Sequence, residues 1–442
     1  MTATTALESW GRYPRAKQAA VPLYWSSDMP PLHSIPGTVL PYGCGRSYGD
    51  VCLNDGGTLL TTTRMDHFLA FDSAAGRLQC EAGVCLDQVL DLIVPQGWFL
   101  PVTPGTKFIT VAGAVANDIH GKNHHRMGTF GEHVCGLELL RSDGTRRICS
   151  STQNPELFRA TIGGLGLTGL ILWVEFQLQR IQTPFIKVEN IKYSGLADFF
   201  KLVQESEAAF EHTVAWVDCL ASGARLGKGI FMRGNTATSA EAGAARGSGS
   251  KRQLTFPFDA PNWLLNRLSV TVFNALYYHK QQRELETRVV HYAPFFYPLD
   301  AILDWNRMYG RRGFFQYQFV APIAAGESVV SRVLEKVSKS GAASFLAVMK
   351  TFGYRPPAGM LSFPRQGVTL AMDLANQGEK TLRLLNDLDE VVMGSGGVLY
   401  PAKDARMSPQ SFEASYPNWR EFAKFIDPHF SSSFWRRVTR SA

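Results

Sequence analysis

Three histidines, an aspartate, a lysine and an asparagine follow a run of very small residues in the segment AGAVANDIHGKNHH, residues 112–125. Imidazoles bind metals well, and His120 and His124 are four residues apart, with His125 beside them. Gly121 disfavours a helix at this point, however, and no carboxylate follows at a usual ligand spacing. The alternatives are structural histidines, or a wide planar ligand lying on bare backbone with His120 at its edge. We expect no metal here.

A glycine-rich loop, PYGCGRSYGD, precedes this segment at residues 41–50. Gly43, Gly45 and Gly49 would let the backbone turn sharply and present its N–H groups, and Arg46 would add positive charge. Loops of this kind form concave sites that bind a pyrophosphate. The other interpretation is an ordinary surface turn.

A second glycine-rich stretch, GGLGLTG at residues 163–169, matches the pattern G-x-G-x-x-G. The dinucleotide-binding fingerprint requires a strand before this pattern and a helix after it. Here NPELFRAT predicts a helix before it, and LILWVEF predicts a strand after it. The order is reversed, so the pattern does not indicate a nicotinamide site, although it could still bring backbone close to another ligand.

The elements that would position these loops are predicted from hydrophobic periodicity. GRLQCEAG predicts a strand, and LDQVLDLIVPQG predicts a helix with Leu86, Val89, Leu90 and Ile93 on one face. GLELLRSDGTRRICS predicts a hairpin, and LILWVEFQLQ predicts a long strand. Strands and short helices therefore alternate across residues 37–185.

Composition limits the class of protein. A chain of 442 residues with 45% hydrophobic and 19% charged residues is predicted to be globular, with two or three domains. We find neither a secretory signal nor an uninterrupted apolar run of about 18 residues. Seven cysteines without Cys-x-x-Cys spacing indicate reduced thiols and a cytoplasmic location. The excess of basic residues, 45 − 38 = 7, fits an anionic substrate or membrane surface better than nucleic acid, because the charges are scattered.

Two neighbouring segments stand out downstream. Residues 234–253 are rich in Gly, Ala and Ser and predict a flexible loop. An apolar segment with basic residues nearby follows it. Its residues of interest are Trp263, Leu264, Leu268, Val272, Phe273 and Leu276, with Lys251, Arg252 and Arg267 as the nearby cations. Two interpretations stay open, an interfacial segment that faces a membrane and an ordinary core helix beside a loop.

Three motifs together, GCGRSYGD, ITVAGAVANDIHGKNHH and GGLGLTGLIL, strongly resemble those of FAD-dependent flavoproteins of the vanillyl-alcohol oxidase/PCMH superfamily. Within that superfamily, HGKNHH is similar to the motif of the decaprenylphosphoryl-β-D-ribose 2-oxidase family. The resemblance continues through FFYPLDAILDWNRMYGRRGFFQYQFV, SFLAVMKTFG and GGVLYPAKDAR, so it spans nearly the whole chain. It is weakest around residues 234–285.

The resemblance implies an α+β fold. A PCMH-type FAD-binding domain of two α/β subdomains is expected over residues 1–185, and a substrate-binding domain with an antiparallel sheet over residues 186–397. Residues 398–442 are expected to return to the FAD-binding domain.

The resemblance also implies the site residues. Residues expected to contact FAD, which the family binds without a covalent bond, are Pro41, Tyr42, Gly43, Cys44, Gly45, Arg46, Ser47, Tyr48, Gly49, Asp50, Val51, Gly105, Thr110, Val111, Ala112, Gly113, His120, Gly121, Lys122, Asn123, Ile171 and Tyr400. Residues expected to act in catalysis are Lys403, Gln318, Tyr317 and Lys350. The chain departs from actinobacterial members at Ala371, where they carry a cysteine, so covalent inhibitors that use that cysteine should fail here.

The activity implied is oxidation of the 2-hydroxyl of a polyprenylphosphoryl-β-D-ribofuranose to the 2-keto sugar, the first half of an epimerisation to the arabinose form in cell-wall biosynthesis. Its partners would be a short-chain dehydrogenase that reduces the keto sugar, quinone or oxygen as electron acceptor, and peripheral contact with the inner membrane. The alternative is an alditol or aldono-1,4-lactone oxidase that acts on a small soluble sugar and binds FAD covalently through His120. The intact motifs GRSYGD, HGKNHH and YPAKD argue against a third interpretation, a non-enzymatic relative.

Overall fold

The computed structural model describes residues 7–243, 253–261 and 264–440. Within these ranges the chain has an α+β architecture of helices packed on mainly antiparallel sheets. The strands are β1 (Ala19–Pro22), β2 (Val39–Tyr42), β3 (Thr58–Thr61), β4 (Phe68–Asp72), β5 (Arg77–Glu81), β6 (Trp98–Phe99), β7 (Val134–Leu140), β8 (Arg146–Cys149), β9 (Leu170–Gln177), β10 (Gln179–Arg180), β11 (Phe185–Tyr193), β12 (His212–Val217), β13 (Gly229–Thr236), β14 (Leu254–Thr255), β15 (Leu285–His291), β16 (Ile302–Leu303), β17 (Phe314–Ala321), β18 (Ala347–Phe352), β19 (Gly367–Ala375) and β20 (Val398–Leu399). The α-helices are α1 (Leu86–Ile93), α2 (Val111–Ala116), α3 (His124–Met127), α4 (Pro155–Thr161), α5 (Leu196–Glu207), α6 (Ser239–Ala242), α7 (Arg267–Lys280), α8 (Tyr292–Phe296), α9 (Ile323–Ser340), α10 (Glu379–Met393), α11 (Pro409–Ser415), α12 (Trp419–Ala423) and α13 (Ser433–Val438).

The first part of the chain builds three small sheets, one of which is the two-stranded antiparallel pair of β10 and β6. A parallel sheet has the strand order β1-β3-β2, and an antiparallel sheet has the order β4-β5-β9-β7-β8. Helix α1 buries Leu86, Val89, Leu90 and Ile93, which recur at helical spacing and so share one face. The predicted strand β5, helix α1, hairpin β7–β8 and strand β9 are therefore all confirmed.

The second part builds one large antiparallel sheet, with the order β15-β11-β13-β12-β18-β19-β17-β20. Helices α9 and α10 pack on one face of its central strands. Every residue of β17 is buried, because the face that α9 and α10 leave free is turned towards the first part of the chain. Polar residues of the central strands that lie on that second face are therefore buried between the two parts.

The C-terminal residues pack against the first part of the chain. Arg437, on α13, lies 2.7 Å from Asp50 and 3.0 Å from Asp404 through its guanidinium nitrogens. The Val39 backbone N–H donates to the carbonyl of His429 at 2.9 Å. The predicted division into residues 1–185, 186–397 and 398–442 stays a prediction.

The predicted loop at residues 234–253 begins later than expected. Strand β13 continues through Thr236, because its register with β11 pairs Ile186 with Thr236. Helix α6 then forms one turn, capped by the side chain of Thr238. Residues 244–252 of the predicted loop, which include Lys251 and Arg252, lie outside the described residues.

Helix α7 carries the apolar segment and is not an ordinary core helix. Leu268, Val272 and Leu276 are 74%, 50% and 69% exposed, and they form one stripe because they recur every four residues. The residues of this helix that are buried are Val270 and Asn274. The interpretation as a core helix is therefore wrong. Trp263, which the sequence analysis grouped with this segment, lies outside the described residues. No helix in the described ranges has the length and apolar character to cross a bilayer.

Candidate active site

A cavity of about 550 Å³ lies between the two parts of the molecule. One wall, which we call the backbone wall, is formed by loop residues 43–48, residues 103–106 and the segment 109–121. The opposite wall, which we call the side-chain wall, is formed by residues of β17, β18 and β19 together with Lys403. The site is therefore built where the small sheets meet the large one.

The glycine-rich loop takes its shape from close packing. Gly45 has a φ of 61°, and a Cβ atom there would lie 2.1 Å from the hydroxyl oxygen of Tyr42. That hydroxyl donates to the carbonyl of Glu8 at 2.7 Å, so it cannot move away freely. The Arg46 guanidinium lies 3.9 Å from the centre of the Trp10 ring, which fixes a positive charge in the cavity.

The small residues of the opening motif form helix α2. Thr110 caps it, because its side chain accepts a hydrogen bond from the Gly113 N–H at 3.1 Å. Val111, Ala114 and Val115 face the core, whereas Ala112 and Gly113 line the cavity. The small side chains thus leave a stretch of backbone open to the cavity.

His120 is held by residues from the large sheet. Lys350 Nζ lies 2.9 Å from His120 Nδ1 and donates to the Gly121 carbonyl at 2.9 Å. The side-chain amide nitrogen of Gln318 lies 3.1 Å from His120 Nε2 and donates to the Thr369 hydroxyl oxygen at 3.3 Å. A neutral imidazole accepts through one ring nitrogen and donates through the other, so His120 can accept from only one of Lys350 and Gln318 at a time. Burial, and then the charge of Lys350, lowers the pKa of His120, which keeps this imidazole neutral.

The cavity concentrates lysines. Burial lowers the pKa of Lys350 to about 7, and the charges of Lys122 and Lys403 act in the same direction. Burial lowers the pKa of Lys122 to about 7, although its ammonium donates to the carbonyls of Phe295 and Phe296. An anionic ligand in this cavity would favour the charged forms of Lys122, Lys350 and Lys403.

Lys403 follows the short strand β20 and sits at the end of the turn Pro401–Lys403. Its Nζ lies 3.9 Å from the centre of the Tyr48 ring, and the Tyr48 N–H donates to the Ala402 carbonyl at 2.9 Å. Burial lowers the pKa of Lys403, and the negative charge of Asp373 opposes that change. The chain thus brings a lysine of its C-terminal part against the glycine-rich loop of its N-terminal part.

The cavity fits a large cofactor that carries many hydrogen-bonding atoms. Arg46 Nε and Asn117 Oδ1 are buried and have no hydrogen-bond partner within the protein. A Cβ atom at Gly105 would meet nothing within 4 Å, so the wall is open there. FAD carries pyrophosphate and ring atoms that can pair with such groups. The residues present therefore fit this cofactor, which would lie along the backbone wall with its ring near His120.

Most predicted site residues line this cavity. Those that do are Pro41, Gly43, Cys44, Gly45, Arg46, Ser47, Tyr48, Val51, Gly105, Thr110, Ala112, Gly113, His120, Gly121, Lys122, Ile171, Gln318, Lys350, Tyr400 and Lys403. Their individual roles stay predictions.

Tyr317, predicted to act in catalysis, lies on the wrong face of its strand. Side chains alternate along a strand, so Gln316 and Gln318 face the cavity while Tyr317 and Phe319 face the opposite way. The Tyr317 ring is buried in the core that α9 and α10 cover, 5.8 Å from the ring of Phe319. It cannot contact a ligand in the cavity without a reversal of the strand.

Five predicted FAD-binding residues lie behind the cavity wall. The Tyr42 hydroxyl packs against Gly45 of the loop and donates to the Glu8 carbonyl, so it faces away from the cavity. A Cβ atom at Gly49 would lie 1.6 Å from the Asp404 carbonyl oxygen, so this glycine permits a contact within the protein. Asp50 pairs with Arg437, Val111 packs in the core, and the Asn123 amide donates to the Pro101 carbonyl at 2.8 Å.

Several lining residues were missed by the sequence analysis. Gln316, Thr369, Asn117 and Trp10 all face the cavity. The alternation in FFQYQFV contained a usable signal, because Gln316 and Gln318 are two polar residues at a spacing of two in an apolar strand. Trp10 could not be found in this way, since it lies far from the other residues along the chain.

The neighbouring histidines have partners other than a metal. His125 Nε2 lies 2.9 Å from the Phe210 carbonyl oxygen, and the His124 ring packs 4.6 Å from the ring of Phe352. Within the described ranges, no group of three or more His, Cys, Asp or Glu side chains is arranged to hold a metal ion.

Comparison with known proteins agrees with this geometry. Residues 33–150 match a family model described as an FAD binding domain. The chain is 34% identical to decaprenylphosphoryl-beta-D-ribose oxidase of Mycolicibacterium smegmatis over 412 residues, which cover 90% of this chain and 89% of that protein. It is 31% identical to an uncharacterized protein in the mprA 5' region of Streptomyces coelicolor, over 80% of this chain and 100% of that protein. It is 26% identical to human Delta(24)-sterol reductase over 51% of this chain and 43% of that protein.

The fold, the cavity and the matched domain define an FAD-dependent oxidoreductase that acts on a CH–OH group. Its cofactor is FAD. The extent of the similarity is decisive for the family, because it covers both the small sheets and the large one. The chain belongs to the decaprenylphosphoryl-beta-D-ribose oxidase family.

Proposed function

We propose that this protein oxidises the 2-hydroxyl of a polyprenylphosphoryl-β-D-ribofuranose to the 2-keto sugar, as the first half of an epimerisation to the arabinose form used in cell-wall arabinan. Similarity over 90% of the chain to an oxidase named for such a sugar supports the substrate class. The observation that carries the proposal is the meeting of Lys403, Lys350 and Gln318 with His120 in one cavity opposite a bare backbone wall.

Bound FAD would supply the acceptor for the hydride that leaves C2 of the sugar. The backbone wall would hold the cofactor, with Arg46 and the loop N–H groups near its pyrophosphate and Ala112 and Gly113 under its ring. The contacts of Lys350 and Gln318 with His120 would hold the imidazole in place at the edge of the space for the flavin ring. Positive charge near that ring stabilises the negative charge that develops during the reaction.

Lys403 is the leading candidate to receive the proton of the 2-hydroxyl. Its Nζ sits in the cavity, and its lowered pKa makes a neutral amine accessible near neutral pH. Gln316 and Gln318, two residues apart on β17, line the cavity, where their amide nitrogens donate to Asp373 at 2.6 Å and to Thr369 at 3.3 Å. The sugar hydroxyls would bind beside these amide groups. Lys350 would instead stay committed to His120 and the Gly121 carbonyl.

A lipid-linked sugar also needs an apolar approach to the site. Val188, Val214, Met232 and Val290 line the cavity on the side where Arg288 opens to solvent. Tyr277, on α7, also lines it. We infer that the polyprenyl chain leaves the cavity past these residues, towards the exposed stripe of α7.

The same stripe supports the proposal of peripheral contact with an anionic membrane. Leu268, Val272 and Leu276 are exposed together, and the exposed cations Arg267 and Lys280 lie at the two ends of the same helix. A helix with this arrangement binds the interface of an anionic bilayer by burial of its apolar face and by charge attraction.

Sedimentation with phosphatidylglycerol vesicles tests this contact. The wild-type protein should sediment with the vesicles, and a Leu268→Glu/Leu276→Glu variant should remain in the supernatant with its FAD content unchanged. Ile323→Glu, which changes an exposed apolar residue of α9, is the matched control and should sediment like the wild type. Equal sedimentation of the double variant would contradict the contact.

Two further partners are part of the proposal. A short-chain dehydrogenase would reduce the 2-keto sugar from the other face, and quinone or oxygen would take the electrons from the reduced flavin. Reoxidation rates of the substrate-reduced enzyme with a soluble quinone and with oxygen decide the acceptor.

Anaerobic flavin reduction tests the substrate. Polyprenylphosphoryl ribose should bleach the flavin absorbance rapidly, whereas free alditols and aldono-1,4-lactones should leave it oxidised. Bleaching by the small sugars alone would favour the alternative oxidase. Acid precipitation separates the two in a second way, because we expect FAD to be released into the supernatant, while flavin that stays on the chain would indicate a covalent bond to His120.

A further inference from the structure

Two cysteines meet at the edge of the cofactor cavity. Cys44 Sγ lies 3.3 Å from Cys85 Sγ. Cys44 belongs to the glycine-rich loop and lines the cavity, whereas Cys85 precedes the first turn of α1 and does not line it. The seven cysteines of the chain are all free, and this pair unites two distant parts of the sequence.

The two thiols differ in acidity. The hydrogen bond from Cys85 is the largest cause that lowers the pKa of Cys44, and the charge of Arg46 and the Thr110 N–H act in the same direction. The same contact raises the pKa of Cys85. The pKa values of the other five cysteines show no lowering, and burial raises those of Cys52 and Cys80. Cys44 is therefore the thiol most prone to become a thiolate, which is the form that reacts with oxidants.

The surrounding backbone holds the pair together. A Cβ atom at Gly43 would lie 2.6 Å from the Thr110 hydroxyl oxygen, so the loop packs tightly against the start of α2. Cys85 forms a β-bridge to the same Thr110 and its N–H donates to the Gln88 side chain at 2.8 Å. A disulfide has its sulfur atoms roughly 2 Å apart, so a movement of about 1.3 Å would suffice to join them.

We propose that Cys44 and Cys85 are an oxidation site at which hydrogen peroxide forms a reversible disulfide that ties the cofactor loop to α1. The Cys44 thiolate attacks one oxygen of the peroxide, so an S–O bond forms, the O–O bond breaks and water leaves after protonation. The Cys85 sulfur then attacks the sulfur of the Cys44 sulfenic acid. An S–S bond forms, and the hydroxyl leaves as water with the proton of Cys85. The sum is two thiols and one peroxide giving one disulfide and two waters, and peroxide is also what oxygen becomes when it takes two electrons from a flavin.

Mild peroxide treatment of the holoenzyme, followed by alkylation and peptide mapping without reductant, tests the site. We expect one cross-linked peptide pair that contains Cys44 and Cys85, with the other five of the seven cysteines alkylated. Dithiothreitol should reverse the link. Oxidation that maps to other cysteines, or no cross-link while the protein is still folded and yellow, would overturn the proposal.

Single variants test the order of the two steps. Cys85→Ser keeps a hydroxyl at the start of α1, so it should retain FAD, form no disulfide and accumulate sulfenic acid at Cys44 that dimedone traps. Cys44→Ser should give neither product, and Cys52→Ser should form the disulfide as the wild type does. Dimedone labelling at Cys85 in the Cys44→Ser variant would overturn the assignment of Cys44 as the reacting thiol. The melting temperature of each variant shows that it is folded, since Cys44 itself borders the cofactor cavity.

Discussion

The two walls of the cavity are built on opposite principles. The backbone wall presents Gly105, Ala112 and Gly113, with Thr110 bonded into its own helix cap. The side-chain wall presents Gln318 and other polar or charged groups from three adjacent strands. The first wall recognises a ligand by shape, by N–H groups and by the single charge of Arg46, whereas the second places several charges and hydrogen-bond donors on neighbouring strands.

This difference predicts which substitutions should change FAD binding and which should change the reaction rate. A side chain added to the backbone wall would occupy space that the cofactor needs, so it should change FAD binding. A side chain removed from the side-chain wall would leave that space intact and should change the rate of the reaction. Lys403 belongs to the second class although it comes from outside the large sheet's central strands, because it contributes an ammonium group and not bare backbone to the cavity.

The largest effect is expected from Lys403→Met, which removes the proposed proton acceptor from the side-chain wall. A positioned general base typically contributes roughly 100- to 10,000-fold to a rate. Stopped-flow measurement of anaerobic flavin reduction should show a slowing of this size with FAD content preserved. Lys424→Met, at a largely exposed lysine on the surface, is the control and should react as the wild type does. Reduction of the Lys403→Met variant within about threefold of wild type would remove this residue from the site.

A smaller effect on the opposite wall is expected from Gly105→Leu. Its Cβ meets nothing within 4 Å, so the new side chain would enter the cavity without a clash inside the protein. We expect about tenfold weaker FAD binding, or roughly 1.4 kcal/mol, with the melting temperature of the apoprotein nearly unchanged. Gly243→Leu, at an exposed glycine whose Cβ would have ordinary contacts, should bind FAD normally. Equal FAD affinity of the two variants would show that residue 105 does not border the cofactor.

The local part of the fold was predictable from the sequence. Periods of two and of 3.6 residues are set by neighbours along the chain, so β5, α1 and the β7–β8 hairpin could be predicted correctly. The glycine-rich loop and the small-residue segment also indicated a wall of exposed backbone, although the sequence left an ordinary surface turn open for the loop. Tyr317 was expected near the flavin from the resemblance alone, whereas the alternation of side chains along its strand turns it away from the cavity.

Non-local facts could not be predicted. Gly49 resembles a cofactor-binding glycine, but the space it leaves is filled by the Asp404 carbonyl from the other end of the chain. The exposure of Leu268 and Leu276 depends on what packs against α7, and an apolar stripe has the same spacing whether it is covered or not. The Cys44–Cys85 contact joins residues 41 positions apart, and only the folded loops bring them together.

Lys122, which lies where the two walls meet, links the stability of the protein to pH. Burial lowers its pKa in the folded protein to about 7, whereas an unfolded lysine titrates near about 10.4. Between these two values the unfolded chain binds a proton that the folded chain does not, so this residue makes stability rise with pH from about 7 to 10. Below pH 7 both states are charged, and the penalty of burial is then fully present and constant.

The free energy of unfolding of the apoprotein should therefore depend less on pH in Lys122→Met than in the wild type. We expect the difference between the two proteins to change by roughly 2–4 kcal/mol between pH 7 and pH 10, with the variant relatively more stable at the lower pH. Urea unfolding at several pH values measures this. Lys424→Met serves again as the control. If the free energy of unfolding of Lys122→Met changes with pH by the same amount as that of the wild type, the pKa of Lys122 is not lowered by burial.

The smallest effect on the reaction is expected from Ala371→Cys. This residue faces the cavity and pairs with Gln318 across β17 and β19, yet its methyl group offers neither charge nor hydrogen bond. One sulfur atom in place of a hydrogen should change the rate of flavin reduction by less than about twofold, which is under roughly 0.4 kcal/mol. The variant should instead gain a reactive thiol on the side-chain wall, where the wild type has none. Incubation with a small maleimide and peptide mapping should show labelling at residue 371 only in the variant, and bound polyprenylphosphoryl ribose should slow that labelling. If labelling is equally fast with and without this ligand, the sugar does not bind against the strand pair that carries Gln318. That result would contradict the proposal that the substrate contacts the side-chain wall.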